Sequence, residues 1–339
     1  MKVFDKESDI RCAVIGYGGA FNMGRAHLGQ MSDSGMKPVA VAEIDPERLA
    51  VAEKDFPGIQ TFTTVESMLE ETNPDLVAII TPHNTHADLA SKCLKAGASV
   101  VCEKPMAITL EECDEMVAIA REKDLLLSVY HNRHWDGCIL EAVERICEKN
   151  QIGEVFRIEA HMGGYRNPGD WWRSSRSISG GIHYDWGVHL IEYTLQIVDS
   201  EVTEVTAFSK EGVWETKFGA DTNQDELTAI VRFANGTLFN LRITTLDMKP
   251  DEGQVVFTGT KGKYFMDQSH YEIVSKSGEE TISKKGPNRP GEQEKYYRNV
   301  ADALTGKAEP VITAEWSRRT MEILALATKS AAEGRTMAV

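Results

Sequence analysis

The sequence has too few basic residues to suit a polyanionic partner. Its 37 Lys and Arg residues are outnumbered by 52 Asp and Glu residues, so the formal net charge at pH 7 is −15. Proteins that bind DNA, RNA or anionic membranes present a basic face to them. The charge therefore argues against nucleic-acid and membrane partners, and we expect the acidic surface mainly to keep the protein in solution.

Cysteine is also scarce, and its spacing excludes the common cysteine-based sites. The six cysteines form no C-x-x-C pair and no spacing typical of metal ligands, so we expect reduced, structural thiols and no bound metal. No apolar stretch approaches the length of a membrane span, and Met1–Glu7 contains no apolar signal region. These absences predict a cytoplasmic protein.

The sequence is long enough for about two globular domains and contains enough apolar residues to form a large core. Its 339 residues are 42% hydrophobic and 26% charged, which is an ordinary globular composition. In the first 131 residues, apolar runs without alternation are separated by helical patterns, which predicts a parallel sheet buried on both faces. The runs are 10–15, 39–42, 76–80, 99–102 and 125–130, and the helical stretches lie near 24–33, 46–55, 85–96 and 109–122.

After residue 150 the pattern changes to strands that alternate or carry β-branched residues. Asn235-Gly236 and Lys261-Gly262 predict hairpin turns, and a long helix is predicted near 313–333. These features together predict a mostly antiparallel sheet. The strand-like runs are 154–162, 201–209, 227–233, 237–244 and 254–259.

Together these patterns predict two domains of different class. Residues 1–131 are expected to form an α/β domain with a doubly wound parallel sheet that binds a dinucleotide. Residues 132–339 are expected to form an α+β domain that binds substrate. Few helices cover its open-faced sheet, so we expect one face to receive a partner subunit in a homo-oligomer, either a dimer or a tetramer.

A glycine-rich segment, Gly16–Gly24, follows the first predicted strand and opens a helix. Glycines there permit a tight turn and let backbone N–H groups approach a pyrophosphate. In the usual G-x-G-x-x-G pattern the third glycine follows the second by three residues. Gly24 follows Gly18 by six, as though Phe21-Asn22-Met23 were inserted. The segment predicts a dinucleotide site, and the alternative is a glycine-rich turn without a ligand.

Glu43 closes the second predicted strand, 25 residues after Gly18. A carboxylate at this place accepts hydrogen bonds from the adenosine ribose hydroxyls and repels a 2′-phosphate. Residues 44–47 contain no Arg or Lys that could receive such a phosphate, although Arg48 is close in sequence. We therefore predict NAD as the cofactor, with NADP less favoured.

Lys104 lies in the tripeptide Glu103-Lys104-Pro105, directly after the apolar run 99–102. A residue before proline is pushed out of the helical conformation, so the lysine is expected in an extended turn at the carboxyl end of a strand. Ligands bind at that edge of open α/β sheets, and an ammonium there can polarise a substrate hydroxyl. The alternative is a lysine in a solvated loop.

Asp185 and His189 are four residues apart, so a helix would bring both side chains to one face. A carboxylate beside an imidazole holds its tautomer and raises its basicity. Glu192 and Gln196 continue the same stripe. The alternative is a surface pair that contributes only a few tenths of a kcal/mol, about the usual value for such spacing.

The segment 165–173 is dense in aromatic and hydrogen-bonding side chains. Aromatic faces stack on the C–H side of sugar and cyclitol rings, and arginine binds hydroxyls and anions. Tyr165, Trp172 and Arg173 are therefore candidate substrate contacts. The alternative is that the tryptophans anchor the loop to the core. The arginines leave open a uronic or phosphorylated sugar, and the segment 130–136 is a second candidate wall.

Read together, these motifs resemble the glucose–fructose oxidoreductase / inositol dehydrogenase / MocA (Gfo/Idh/MocA) family of nicotinamide-dependent oxidoreductases. The resemblance runs essentially from end to end of the chain. It is carried by the glycine loop and by five further elements: Thr81–His86, Ala96–Pro105, Gly180–His189, Gly259–Gly262 and Ser330–Arg335.

The resemblance implies a Rossmann domain followed by an open-faced sheet domain, and a catalytic set of Lys104, Asp185 and His189. The implied cofactor contacts are Gly16, Gly18, Gly19, Ala20, Phe21, Asn22, Glu43, Thr81, Pro82, His83, His86, Glu103, Lys104 and Asn132. The implied substrate contacts are Lys104, Tyr165, Trp172, Arg173, His183, Asp185 and His189. Three departures from the family pattern are the longer glycine loop, His83 in place of asparagine, and His183 in place of a hydrophobic residue.

The resulting hypothesis is an NAD-dependent dehydrogenase of a sugar, sugar glycoside or inositol. His189 would accept the hydroxyl proton, Asp185 would orient it, and Lys104 would stabilise alkoxide charge, provided that the amine and the imidazole meet at the same carbinol. Two rivals use the same residues: a redox-neutral glycosidase or lyase, and a sugar oxidoreductase that recycles tightly bound NAD(H). A further rival is a catalytically silent binding protein.

Overall fold

The computed structural model of the chain describes residues 3–249, 251 and 253–339. The chain divides into two compact units. The first comprises the chain up to His131 together with Glu294–Arg319, and the second comprises Asn132–Gln293 and Thr320–Val339. The first unit therefore takes in a stretch that is distant in sequence.

A six-stranded parallel sheet forms the centre of the first unit. Its strand order, β3-β2-β1-β4-β5-β6, reverses between β1 and β4, as in a doubly wound sheet. β1, β4 and β5 are almost completely buried, as the continuous apolar runs had predicted. The strands are β1 (Arg11–Ile15), β2 (Lys37–Ala42), β3 (Gln60–Phe62), β4 (Leu76–Ile79), β5 (Ser99–Cys102) and β6 (Leu127–Val129).

Two helices of this unit, α2 and α5, begin at the signals expected from the sequence. Asp45 accepts a hydrogen bond from the Glu47 N–H with Pro46 in the first turn, and Thr109 and Glu112 form a capping box. β3 and α3 were not predicted, because β3 is only three residues long and is not fully buried. The helices are α1 (Met23–Asp33), α2 (Pro46–Asp55), α3 (Val65–Thr72), α4 (His86–Lys95) and α5 (Leu110–Lys123).

A nine-stranded sheet forms the second unit, in the order β14-β13-β12-β11-β7-β10-β9-β8-β15. Its pairings are antiparallel except that β7 and β10 are parallel, which confirms the predicted mostly antiparallel sheet. The strands are β7 (Val155–Gly163), β8 (Val202–Lys210), β9 (Glu226–Phe233), β10 (Leu238–Thr244), β11 (Val255–Gly259), β12 (Gly262–Met266), β13 (His270–Ser277), β14 (Glu280–Pro287) and β15 (Met337–Ala338).

Two details of this sheet differ from the expectation. The hairpin turn between β11 and β12 consists of Thr260 and Lys261, because Gly259 pairs with Gly262, the first residue of β12. The hairpin of β13 and β14 was not predicted, since β14 is exposed along nearly its whole length and has no apolar alternation.

Helix α8 (His183–Ile197) covers one face of the second sheet, and α6 (Gly137–Val143) and α7 (Arg176–Ser179) precede it. A Cβ atom on Gly187 would lie 3.4 Å from both Leu241 of β10 and Leu324 of the long helix α10 (Ala314–Glu333), so α8 packs closely between them. Along β9 the residues Leu227, Ala229 and Val231 are buried, whereas Ile230, which points the other way, is 42% exposed. The sheet thus has one covered and one open face.

Helix α9 (Lys295–Leu304) belongs to the first unit although it follows strands β7 to β14 of the second sheet in sequence. It buries Tyr296 and Tyr297. The first turn of α10 also belongs to the first unit and the rest of that helix to the second. No helix in the described part of the chain is long and apolar enough to cross a membrane.

The cysteines lie mostly in the interior. All six thiols are free; five are buried and Cys147 is exposed. Burial raises the pKa of Cys93 to about 12 and that of Cys138 to about 11. These thiols therefore stay protonated near neutral pH, which makes them poor nucleophiles.

Candidate functional site

Several predicted site residues follow directly after strands of the parallel sheet, at its carboxyl edge. The Gly16 N–H donates to the Ala42 carbonyl at 2.8 Å, and the Glu103 N–H donates to the Ile79 carbonyl at 2.9 Å. The strand ladders therefore extend one residue into the loops and fix where these loops begin. This edge, at the reversal of strand order, is where open α/β sheets bind ligands.

Two glycines of the glycine-rich segment occupy places that no other residue could. Gly16 has a φ of +98°, and a Cβ atom there would lie 2.2 Å from the Ile80 carbonyl oxygen. A Cβ atom on Gly24 would lie 2.6 Å from the Gly16 carbonyl oxygen. Gly24 therefore lets α1 pack closely against the end of β1, which is the part that the third glycine plays in the shorter pattern.

Between these two glycines, residues 18–22 form an exposed loop. Asn22, the residue before α1, has a left-handed φ of +51°. Gly18 has open space around the position of a Cβ atom, whereas a Cβ atom on Gly19 would lie 3.2 Å from the Arg48 guanidinium. The additional residues thus extend outward while Gly24 keeps its packing position. The predicted cofactor contacts in this loop are Gly18, Gly19, Ala20, Phe21 and Asn22, all exposed.

Glu43 is held against the start of the same loop. Its carboxylate accepts the Tyr17 N–H at 2.6 Å and the Asp45 N–H at 3.1 Å. Arg48 donates from Nε to the Tyr17 carbonyl at 2.8 Å and from Nη2 to Asn22 Oδ1 at 3.4 Å. The fold therefore brings Glu43 and the cation of Arg48 to one turn, which the sequence showed only as closeness along the chain.

The loop after β4 is fixed by a buried histidine. His86 Nδ1 lies 2.8 Å from the Pro105 carbonyl oxygen, and its Nε2 lies 3.0 Å from the Thr81 carbonyl oxygen. Burial lowers the pKa of His86, so the ring is neutral and donates to one of these carbonyls at a time. His86 therefore ties the loop after β4 to the turn that contains Lys104.

The other predicted contacts of that loop lie in the turn before α4. Pro82 accepts the Thr85 N–H at 3.0 Å in a single 3₁₀ turn over His83–Thr85. His83 is 2% exposed, and its ring centroid lies 5.7 Å from that of His86. The side chains of His83 and His86 are thus interior, and their contact with a cofactor stays a prediction, as does that of Thr81 and Pro82.

The turn that contains Glu103 and Lys104 is held by two hydrogen bonds to the Glu103 carboxylate. Glu103 Oε1 lies 3.1 Å from His27 Nε2, and Oε2 accepts the Lys104 N–H at 3.0 Å. Burial by itself would raise the pKa of Glu103, but the hydrogen bond from His27 and the charge of Lys104 hold it below its usual range. Glu103 is therefore an anion at neutral pH.

In the second unit, α8 brings Asp185 and His189 to one face, one helical turn apart. Asp185 lies in the first turn, where the helix dipole favours a carboxylate. Its Oδ2 is 3.4 Å from Arg173 Nη1, with 31% of the Asp185 side chain exposed. His189 is 5% exposed, and its ring centroid lies 5.5 Å from that of Trp186.

The aromatic loop before α8 lies beside Asp185. The Arg173 guanidinium carbon is 5.0 Å from the Trp172 ring centroid and 5.3 Å from that of Trp171, so the cation lies close to two indoles. Tyr165 is 51% exposed and meets Trp214 edge-on at 5.3 Å. Sequence analysis missed Trp214, which lies in the connection between β8 and β9 and has no motif around it.

His183 is turned toward the interior of the second unit. Its Nε2 lies 2.9 Å from Thr328 Oγ1 and 3.2 Å from the Leu324 carbonyl oxygen, both on α10. The ring is fully buried, and this burial lowers the pKa of His183 to about 4. The histidine is therefore a neutral packing residue, and its predicted contact with substrate stays a prediction.

The segment that opens the second unit runs alongside the same helix. Asn132, a predicted cofactor contact, is half-buried and begins a single 3₁₀ turn. The Arg133 guanidinium carbon lies 4.8 Å from the Trp186 ring centroid, and His134 Nδ1 lies 2.6 Å from the buried carboxylate of Glu192. Sequence analysis placed Glu192 on the stripe of Asp185 and His189 but did not predict its histidine partner.

No candidate metal site is present among residues 3–249, 251 and 253–339. These residues contain no group of three or more His, Cys, Asp or Glu side chains that could hold a metal ion. The candidate site residues fall into two groups, one at the carboxyl edge of the parallel sheet in the first unit and one on α8 and its aromatic loop in the second.

Comparison with known proteins covers nearly the whole chain. Residues 10–131 match a family model described as "Oxidoreductase family, NAD-binding Rossmann fold", and residues 145–339 match its companion, "Oxidoreductase family, C-terminal alpha/beta domain". Both models belong to one family, and the two matches leave out only the first residues and a short connecting stretch.

Similar proteins and structures extend over the same length. The uncharacterized oxidoreductase YdgJ of Escherichia coli is 26% identical over 97% of this chain and 98% of its own. The scyllo-inositol 2-dehydrogenase (NADP(+)) IolW of Bacillus subtilis is 25% identical over 98% of this chain and 96% of its own. The structure of an NAD-binding protein from Listeria innocua is 28% identical over 97% of this chain and 96% of its own, with a TM-score of 0.82.

Proposed function

Because the chain belongs to the Gfo/Idh/MocA family, and is thus an NAD(P)-dependent oxidoreductase, we propose that it oxidises a secondary hydroxyl of a sugar, sugar glycoside or inositol, or reduces the matching ketone. The observation that carries the proposal is the face of α8 that presents Asp185 and His189 beside Arg173 and its indoles. An acid–base pair next to aromatic rings suits a polyhydroxylated ring substrate.

The first unit fits a nicotinamide dinucleotide. The backbone at Gly16 leaves no room for a side chain, Gly24 brings α1 close to the strand end, and Glu43 is held beside the loop. When bound, the nicotinamide supplies the acceptor for the hydride that leaves the substrate carbon. We assign its binding to Gly16, the 18–22 loop, Glu43, the 81–86 turn, Glu103, Lys104 and Asn132.

We propose NAD rather than NADP as the preferred form. The Glu43 carboxylate would repel a 2′-phosphate, although Arg48 at the same turn carries the opposite charge. Steady-state kinetics with both cofactors test the preference, and comparable kcat/KM values would overturn it. In Glu43→Gln the preference should shift toward NADP by about tenfold, and Arg48→Ala should shift it further toward NAD.

The protein's own residues divide the chemistry among three tasks. We propose that His189 takes the proton from the substrate hydroxyl, since imidazole titrates near neutral pH and is the usual base at such sites. Asp185 orients the ring, and the Lys104 ammonium stabilises negative charge on the hydroxyl oxygen. One positioned base lowers the barrier by roughly 3–5 kcal/mol.

The substrate class rests on the aromatic loop of the second unit. Tyr165 and Trp172 offer faces for a ring, and Arg173 offers hydrogen-bond donors beside Asp185. IolW, whose name places it among inositol dehydrogenases, is similar along nearly the whole chain, which supports a cyclitol or a related sugar. The Asp185 carboxylate would repel an anionic substrate, so a neutral ring also suits this position better.

The test is a screen of sugars, glycosides and cyclitols with added NAD, followed both by NADH absorbance and by product mass. Oxidised product with an equal amount of NADH supports the dehydrogenase. If product forms without net NADH, from protein that retains its cofactor, the dehydrogenase assignment is wrong and the reaction is redox-neutral. Absence of turnover with every ring would favour a binding protein.

We also propose that the protein forms a homo-oligomer through the open face of its nine-stranded sheet. Phe208 and Ile230 lie on this face, 64% and 42% exposed, on strands that pair with each other. Apolar side chains on an uncovered sheet favour a partner. Sedimentation of wild type and Phe208→Glu tests this, since a monomeric wild type would contradict it. The cytoplasmic location stays a prediction.

A further inference from the structure

We propose that Tyr297, His27 and Glu103 form a buried hydrogen-bonded relay that positions Lys104. The inference rests on the proposed function of Lys104 and extends it to side chains on α1 and α9 that no sequence motif connected with the site. All four residues belong to the first unit.

The relay ends at the backbone of Lys104 itself. Both carboxylate oxygens of Glu103 are used inside the protein: Oε1 lies 3.1 Å from His27 Nε2, and Oε2 accepts the Lys104 N–H at 3.0 Å. Only 14% of the Glu103 side chain is exposed. Because this carboxylate bonds to the Lys104 N–H, its position fixes the peptide from which the lysine side chain extends.

The hydrogen-bond donors and acceptors along the relay are complementary. His27 Nδ1 lies 2.5 Å from the Tyr297 hydroxyl, and both side chains are fully buried. Burial raises the pKa of Tyr297 well above its usual range, so the hydroxyl keeps its proton and donates it to Nδ1. A neutral imidazole that accepts at Nδ1 carries its proton on Nε2, where it donates to Glu103.

Aromatic packing prevents the relay from rearranging. The His27 ring lies 4.2 Å from the Tyr130 ring, and Tyr297 lies 5.7 Å from the same ring. Tyr130 is itself anchored, because its hydroxyl donates to Gln30 at 2.7 Å. His27 therefore has little freedom to leave Glu103.

A second buried histidine holds the other side of the lysine. His86 Nδ1 lies 2.8 Å from the carbonyl oxygen of Pro105, the residue that follows Lys104. The backbone is thus bonded to buried side chains both before and after Lys104. Burying these polar groups costs free energy that a lysine in a solvated loop would not require. The arrangement therefore favours a functional position for the ammonium.

Two adjacent tyrosines provide a matched test. Tyr297→Phe removes one buried hydroxyl from the relay. Tyr296→Phe removes an equally buried hydroxyl from the next residue of α9, where it bonds Ser128 Oγ at 2.8 Å and has no part in the relay. Both variants lose one buried hydrogen bond, so their stability losses should be similar, each about 1 kcal/mol.

Two measurements separate positioning from stability. In Tyr297→Phe, kcat should fall about tenfold while KM and the NADH dissociation constant stay within about twofold, whereas Tyr296→Phe should leave all three near wild type. Hydrogen exchange of the Lys104 backbone amide, which needs no substrate, should become at least about tenfold faster in Tyr297→Phe alone, as expected when its acceptor is loosened.

The outcomes distinguish this inference from the proposed function. If Lys104→Ala is inactive but Tyr297→Phe matches Tyr296→Phe in kcat and in exchange, the relay is wrong and the proposed function stands. If Tyr297→Phe speeds exchange without lowering kcat, the relay does not serve catalysis and the inference also fails. If Lys104→Ala keeps wild-type turnover, the proposed function itself is wrong.

Discussion

The candidate site residues fall into two halves, one in each unit, and the halves are built in opposite ways. At the carboxyl edge of the parallel sheet, the groups that flank Lys104 are buried, and His27 and His86 have no exposed surface. On α8 and its loop, 31% of the Asp185 side chain, 37% of Trp171 and 51% of Tyr165 are exposed. The first half is a buried framework, and the second is a set of side chains on a helix and the loop before it, several of them partly exposed.

The proposed function accounts for this difference. A dinucleotide is bulky and always the same, so its site can be fixed by backbone geometry and buried hydrogen bonds. A substrate is recognised by side chains that a family can vary, and loops on a stable scaffold tolerate such variation. Substitutions in the first half should therefore affect the framework, and those in the second should affect the substrate.

The largest effect is expected at the two proposed catalytic groups, one in each half. Lys104→Ala and His189→Ala should each lower kcat by roughly 10²–10⁴-fold, since each removes one charge-stabilising or acid–base group. Steady-state kinetics and circular dichroism measure activity and fold. Lys95→Ala, at an exposed lysine of α4, is the control and should leave kcat unchanged. Near-normal turnover of either variant would remove that residue from the catalytic set.

The backbone framework of the first half should be the most sensitive to an added methyl group. Gly16→Ala should lower the free energy of unfolding by roughly 2–4 kcal/mol and weaken NADH binding, because the Cβ atom would collide with the Ile80 carbonyl in a left-handed conformation. Gly18→Ala, with open space and no left-handed φ, should change stability by less than about 0.5 kcal/mol. Urea denaturation and NADH titration compare the two, and equal losses would contradict this account of the loop.

His183, a buried histidine of the second unit, should make the free energy of unfolding depend on pH. The pKa of His183 is about 4 in the folded protein and near 6.5 in the unfolded chain, so the unfolded chain binds the proton more readily between these values. Stability from this group is complete above pH 6.5 and is lost as the pH falls toward 4, by up to about 3 kcal/mol. Across this pH range, the urea midpoint should depend less on pH in His183→Gln than in wild type. His270→Gln, a control at an exposed histidine, should keep the wild-type pH dependence. An unchanged pH dependence in His183→Gln would show that it arises from other groups.

The smallest effect is expected from the exposed loop. Arg173→Ala should raise KM for the ring substrate by about tenfold while the NADH dissociation constant stays unchanged, because the arginine lies beside Asp185 and close to two indoles. Arg166→Ala, at an exposed position of the same loop, serves as the control. An equal rise in both variants would indicate a general loss of loop order, and weaker NADH binding would refute the division between the two halves.

Local sequence signals predicted much of the fold. The apolar runs of β1, β4 and β5 and the caps at Asp45 and Thr109 appear where they were expected, because buried strands and capping boxes depend on neighbouring residues alone. Elements without such signals were missed. β3 is too short and β14 too exposed to leave an apolar pattern.

The candidate site shows the same division. The helical spacing of Asp185 and His189 and the tripeptide that contains Lys104 are local patterns, and the structure has them on the expected elements. The ion pair of Arg173 with Asp185 and the approach of Arg48 to the glycine loop join residues that are separate in sequence. No spacing rule predicts such contacts, since they depend on how the elements pack.

By itself, the sequence determined the two fold classes, the position of the glycine loop and the identity of the chemical groups, because these follow from periodicity, backbone restriction and residue type. Only the tertiary structure decided which groups are buried together. α9 follows eight of the nine strands of the second sheet in the chain, yet it folds into the first unit and brings Tyr297 to His27, 270 residues away. Such a contact is set by the burial of an apolar helix face against α1, and no local pattern encodes it.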